Sequence, residues 1–163
     1  MTDVQVKHAV RDPAFVERVR GSFARQAFMG FLGAELGPVA PGSVEIRLPY
    51  RRELSQQHGY FHGGVVGTLA DNACGYASFS LAPADHSILT VEYKLNLLSP
   101  AAGEALVARG RVLRPGRTLV VAQADVFAVR AASEKQVATA LATLMLMAGM
   151  PDDPQDPQPD QTR

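Results

Sequence analysis

The stretch Gln56-Gln57-His58-Gly59-Tyr60-Phe61-His62-Gly63-Gly64-Val65-Val66-Gly67-Thr68-Leu69-Ala70-Asp71-Asn72 decides how this chain is to be read. It opens polar, passes through a histidine and two glycines, and then turns apolar until Pro83, with one carboxylate in its middle. The apolar run from about Gly63 to Leu81 approaches membrane-spanning length, but Asp71, Asn72 and several glycines interrupt it. It reads as a buried helix over His62 to Ala82. A helix this apolar must be covered on nearly every side, and a single sheet does that only by curling round it. Gly63, Gly64, Gly67, Ala70, Ala73, Gly75 and Ala77 keep it thin enough for close approach.

The flanks supply that sheet. Before the stretch, Val44, Ile46 and Leu48 alternate with Glu45 and Arg47, as in a half-buried strand. After it come four strand-like segments and no further helix. In Ser87 to Leu98 one face would carry Leu89, Val91, Tyr93, Leu95 and Leu97, the other Thr90, Glu92, Lys94 and Asn96. Ala105 to Leu113 and Thr118 to Arg130 flank Arg114-Pro115-Gly116-Arg117, which reads as a hairpin turn; Val137 to Ala148 closes the folded part. A leading helix starts at Asp12-Pro13, with Phe15, Val19 and Phe23 at four-residue spacing, and runs to about Met29. Gly30, Gly33 and Gly37 then break its register.

The expected architecture is α+β, an antiparallel sheet curled around a long central helix, in one domain. Residues 1–30 would be an N-terminal helical extension, 31–149 the main domain, and 150–163 a disordered tail rich in Pro, Asp and Gln.

Bulk properties narrow the function. The 163 residues carry 16 Lys plus Arg against 16 Asp plus Glu, so no global basic field draws the chain to nucleic acid or an anionic membrane. Met1 to Val10 lack the apolar core of a signal peptide, and a cytoplasmic location is expected. The single cysteine, Cys74, has no CxxC partner and reads as a packing residue. Ser78 and Ser80 lack the GxSxG elbow of a nucleophilic serine. His58 and His62 are four apart, but their glycine-rich loop and the lack of further Cys or His nearby argue against a metal site.

Asp71 is the chemical anomaly. An ionised carboxylate among apolar residues must be paired, protonated or open to a cleft. It is therefore either a catalytic acid or an acid satisfied by a neighbouring backbone group or arginine. His62-Gly63-Gly64 falls at the helix start, where free N–H groups and the positive dipole end can hold an oxyanion or polarise a carbonyl. The same glycines could simply make a tight turn.

His-Gly-Gly followed after six residues by Asp71 resembles the signature of the PaaI-type branch of hot-dog thioesterases. The similarity spans about Gly33 to Ala148 and includes Gln56, Gly59, Leu97-Leu98-Ser99-Pro100 and the turn Arg114 to Thr118. It implies an acyl-CoA thioesterase. Asp71 would act as general base or nucleophile, Gly63 would supply the N–H that polarises the thioester carbonyl, Gln56 would place water or substrate, and Thr90 would assist. His62, Gly64 and Asn72 would contact substrate, and Arg114 and Arg117 could meet CoA phosphates. No metal or cofactor is implied beyond the CoA of the substrate. The family's sites lie between paired subunits, which implies a homodimer and a dimer of dimers.

The spacing points the same way independently. Gly63 and Asp71 lie about 12 Å apart along one helix and about 80° apart around it. If both act on one bond, they come from two subunits across a two-fold interface. Two other readings stay open: a hydratase or dehydratase of the same fold, and a non-catalytic acyl-CoA binder. Tyr60, Phe61, Tyr76 and Phe79 are candidates for lining an aryl or medium-chain pocket, although aromatics near a buried helix are more often core.

Overall fold

A computed structural model describes residues 8–150 and 152. The expectations for the first seven residues and for the rest of the tail lie outside the described residues.

The chain runs α1 (Phe15–Arg25), α2 (Ala27–Leu32), β1 (Glu35–Ala40), β2 (Ser43–Pro49), α3 (Gly63–Phe79), β3 (His86–Leu97), β4 (Ala105–Pro115), β5 (Leu119–Arg130) and β6 (Ser133–Ala148). All six strands form one antiparallel sheet in the order β1-β2-β4-β5-β6-β3. The inward residues of β2 (Val44, Ile46, Leu48), β5 (Val120, Ala122, Ala124, Val126) and β6 (Ala138, Ala140, Ala142, Leu144) pack on Val66, Leu69, Ala70, Ala73 and Ala77 of α3. Small residues let the layers approach. A Cβ at Gly110 would sit 2.1 Å from the Ala73 carbonyl oxygen, so β4 can cross α3 only with glycine there.

Coverage of α3 is less complete than its hydropathy suggests. The sheet takes one side, and the stripe Gly64, Thr68, Asp71, Asn72, Gly75 stays partly accessible. That stripe is the one face of the helix built from polar and minimal side chains.

The leading helix also differs from the expected continuous one. It breaks at Gln26, whose backbone is extended (φ −76°, ψ 96°). Gly30 lies inside α2, and Gly33, in the left-handed region at φ 76°, ends it. Asp12 sits two residues before the cap position, Ala14, and its Oδ1 accepts the Ala14 N–H at 2.9 Å. Val19, Phe23, Met29 and Leu32 enter the same core as the sheet. Arg18 fixes α1 to the end of α3, donating to the carbonyls of Ala82 (2.7 Å) and Pro83 (2.6 Å) and lying 4.4 Å over the Phe79 ring.

Strand β3 corrects the expected alternation. A bulge between Thr90 and Glu92 leaves Val91 without a cross-strand partner, and it reverses which face the following residues take. Thr90 pairs opposite buried Leu144, and Tyr93, Leu95 and Leu97 pair opposite Ala142, Ala140 and Ala138. All four therefore face the helix, while Leu89 and Val91 do not. The β4–β5 connection is tighter than expected as well: Arg114 and Pro115 belong to β4, paired with Val121 and Val120. Strand β6 begins at Ser133, after a turn through Ala131 and Ala132, both at positive φ (47° and 64°).

Candidate active site

Helix α3 starts with a cap made by its own histidine. His62 Nδ1 accepts the Gly64 N–H at 2.9 Å, and the His62 carbonyl accepts from Val65 and Val66. The Gly64 N–H is thereby committed. No acceptor among the described residues takes the Gly63 N–H, which is one of the first-turn donors left by helix geometry. The preceding loop is closed by Gln56 and Tyr60, whose backbones bond at 2.9 Å, with Gly59 at φ 82°. Gln56 Oε1 accepts the His58 N–H, and the amide NH2 has no partner among the described residues. Gln56, Tyr60, Phe61, Gly63, Leu97 and Leu98 line a cavity of about 440 Å³.

Two turns further along, Asp71 stands half-buried on the open stripe. Thr90 Oγ donates to its Oδ1 at 2.8 Å. Burial raises the carboxyl pKa above its ordinary value of 3.8, and the Thr90 hydrogen bond partly opposes this. Among the described residues neither an arginine nor a backbone N–H bonds to Asp71, so the purely structural reading of this acid loses its expected partners. Asn72 donates to the Thr68 carbonyl at 3.0 Å. Asp71, Asn72, Tyr76, Phe79 and Thr90 line a second cavity of about 160 Å³, together with Ser22 and Gln26 of the leading helix.

The structure thus brings Asp71 to Thr90 and Gln56 to Gly63, but keeps the pairs apart. The two cavities share no lining residue. Tyr76 and Phe79 belong to the first pair's cavity, Tyr60 and Phe61 to the second's. Arg114 and Arg117 line neither and stand exposed at the β4–β5 hairpin. Cys74 is fully buried, and burial first of all pushes its thiol up to about 12, so it is a neutral packing group. Sequence reasoning missed Ser22 and Gln26; their i, i+4 spacing on one side of α1 was the available signal.

An antiparallel sheet laid on a long helix, with a half-buried carboxylate on the helix's open stripe, is the hot-dog architecture. The chain belongs to the thioesterase superfamily, whose family model matches residues 58–132. It is 50% identical to a thioesterase family protein from Silicibacter pomeroyi, with a TM-score of 0.82 over 83% of this chain and 99% of that one. Human acyl-coenzyme A thioesterase 13 is 31% identical over 87 residues, 53% of this chain and 61% of that protein. The E. coli PaaI protein from the phenylacetic acid degradation operon is 21% identical and shares the fold at a TM-score of 0.74, over 83% of this chain and 94% of that one. The PaaI-type resemblance read from His62-Gly63-Gly64 and Asp71 is borne out at the level of family and fold. Family membership carries thioester hydrolysis as the general chemistry. Among the described residues, no helix is long and apolar enough to cross a membrane.

Proposed function

We propose that this chain hydrolyses acyl-CoA thioesters at sites shared between two subunits, each pairing Asp71 and Thr90 of one with Gly63 and Gln56 of the other. The observation that carries the reading is the division of these groups between two separate cavities on one helix. Each cavity holds half of what acyl transfer needs. Strand β3 supports the assembly: it is a twelve-residue edge strand with Leu89, Val91, Tyr93 and Leu97 each about half exposed. A long apolar edge is a liability unless another chain covers it.

In this scheme the Gly63 N–H, at the positive end of its helix, takes the developing charge on the thioester oxygen. Asp71 removes a proton from water as the oxygen bonds to the acyl carbon. The tetrahedral intermediate collapses with cleavage of the C–S bond, and the proton returns from Asp71 to the CoA sulfur. In the nucleophilic variant an Asp71 oxygen attacks the carbonyl carbon and expels the CoA thiolate; water then hydrolyses the resulting anhydride to the free acid and the Asp71 carboxyl, whose proton goes to the thiolate. Gln56 would orient water or carbonyl through its amide NH2. His62 serves as the cap that keeps the Gly63 N–H at the helix start, beside Gly64. Asn72 borders the acyl side, and Arg114 and Arg117 are left as phosphate contacts for CoA. The hydratase reading needs an acid–histidine pair, whereas the residue bonded to Asp71 is Thr90.

Residues 31–149 would form the thioesterase domain, assembling as a homodimer and a dimer of dimers, in the cytoplasm, with no cofactor beyond substrate CoA. Thiol release from a panel of short, medium and aryl acyl-CoAs tests the activity. Release from at least one member is expected; no release from any by folded protein would sink the proposal.

A further inference from the structure

The cavity beside Asp71 has one wall of a different kind from the rest. Its floor is Phe79, Ile88 and Leu144, and Asp71 and Thr90 face it from α3 and β3. Ser22 closes another side from α1, a helix anchored in the core by Val19 and Phe23. Asp152 is the exception. It lines the same cavity but comes from beyond the end of β6 at Ala148 and belongs to no helix or strand.

Two features bring Asp152 there. Gly149 takes the left-handed region at φ 68°, and its N–H donates to the Asp85 carbonyl at 2.9 Å, so the chain turns as soon as the sheet ends. Glycine adopts this backbone without strain. Arg25, the last residue of α1, donates through Nη2 to the Asp152 carbonyl (3.1 Å) and to its Oδ2 (2.8 Å). Among the described residues these are the hydrogen bonds that hold Asp152. The two side chains are 44% and 23% exposed, and an ion pair so placed contributes little and weakens with salt. The cavity is therefore enclosed mostly by packed elements, and at Asp152 by a contact that opens at small cost.

The size of the enclosed space gives that contact a consequence. The cavity is about 160 Å³, and a void near 150 Å³ accommodates a benzene-sized group. A short acyl group on the apolar floor fits within it. A chain several methylenes longer exceeds it and must pass through a wall. Ser22 cannot yield without moving α1 and its buried Val19 and Phe23, whereas Asp152 yields when one ion pair opens.

We propose that Asp152 is a specificity-determining residue, latched by Arg25 across the acyl cavity, that holds the site to short acyl groups and admits longer ones when the pair opens. This rests on the proposed acyl-CoA site and specifies its substrate class.

The test uses S-butyl-CoA and S-decyl-CoA, thioethers that cannot be hydrolysed, so that binding is read apart from turnover. Calorimetry gives the ratio of their dissociation constants, in which the shared CoA portion cancels. Asp152→Arg, which sets two cations against each other, should shift this ratio about fivefold toward the decyl compound, the scale of one exposed ion pair. Arg25→Asp/Asp152→Arg, which restores the pair with its charges exchanged, should return the ratio to the wild-type value. About 0.5 M NaCl should shift the wild-type ratio in the same direction by screening, and leave that of Asp152→Arg in place. A ratio that Asp152→Arg does not move, or a shift that the exchanged pair does not reverse, overturns the proposal. If either variant misfolds, the salt response of the wild-type protein decides, and no shift there overturns the latch. Thiol release from butanoyl-CoA by the wild-type protein is read alongside. Release without the selectivity shift removes this inference alone, the shift without release removes only the thioesterase reading, and failure to bind either thioether removes both.

Discussion

The start of α3 and its middle are two turns apart on one helix, yet they are built in opposite ways. At the start, His62-Gly63-Gly64 is exposed or nearly so, and its chemistry lies in the backbone. The side chains there are minimal, and the one imidazole present caps the helix. At the middle, Asp71 is a half-buried side chain whose charge is disfavoured by its surroundings and tempered by one hydroxyl. In the proposed reaction the start would offer the Gly63 N–H to a developing negative charge, and the middle would offer the base that activates water. A single chain separates what one reaction would have to combine, and the fold holds that separation rigidly because both regions ride on the same helix.

Removing the charge at the middle has the largest expected effect. Asp71→Asn should lower thioester turnover about a hundredfold or more, as loss of a general base or nucleophile does. It should also raise the melting temperature at neutral pH. Burial raises the folded-state pKa of Asp71, so the ionised acid opposes folding above its unfolded value, and a neutral amide relieves this. The gain should disappear below about pH 4, where Asp71 is protonated in both states. Near-normal turnover in folded Asp71→Asn protein would break the comparison at its root.

At the start of the helix, Gln56→Ala should be milder, about tenfold in turnover, because an orienting amide shapes the site without making or breaking bonds. A loss greater than that of Asp71→Asn would mean the two regions' roles are reversed.

Thr90→Val should be smaller still at neutral pH, about threefold, but it should move the pH profile. The Thr90 hydrogen bond lowers the Asp71 pKa against the larger effect of burial. Without it the pKa rises further, and the acidic limb of the rate profile shifts to higher pH. A limb that stays in place or moves to lower pH contradicts the assignment of Asp71 as the ionising group.

Much of this was legible in the sequence because single-residue periodicity carried it. The alternation of Val44, Ile46 and Leu48, and the apolar run after His62, placed a strand and the central helix correctly. Asp71 announced itself as a charge in the wrong solvent. Thr90 was different. Simple alternation put it on the face opposite Tyr93, Leu95 and Leu97, whereas the family resemblance gave it a role beside Asp71. The bulge at Val91 reconciles the two by turning all four residues to the helix, and a bulge has no signature in a two-residue period. The turn at Ala131-Ala132 was hidden for a similar reason: positive φ is usually marked by Gly or Asn, and alanine gives no such sign. The break at Gln26 was invisible because Ala24 to Ala27 are all good helix formers, with neither proline nor glycine to mark it.

The central claim is that the two regions of α3 meet across subunits, and subunit mixing tests it directly. Gly63→Pro removes the backbone N–H at a first helical position where proline is favoured. His62 already has the extended backbone (ψ 139°) that a residue before proline prefers. Gly63→Pro and Asp71→Asn homodimers, each confirmed as folded by circular dichroism, should both be nearly inactive. A heterodimer of the two variants, co-expressed with different tags and purified through both, collects both defects in one site and leaves the other intact. It should recover up to about half of wild-type activity, as two-fold symmetry requires of independent sites. Folded heterodimers that recover no activity would show that Gly63 and Asp71 do not act on the same bond from opposite subunits.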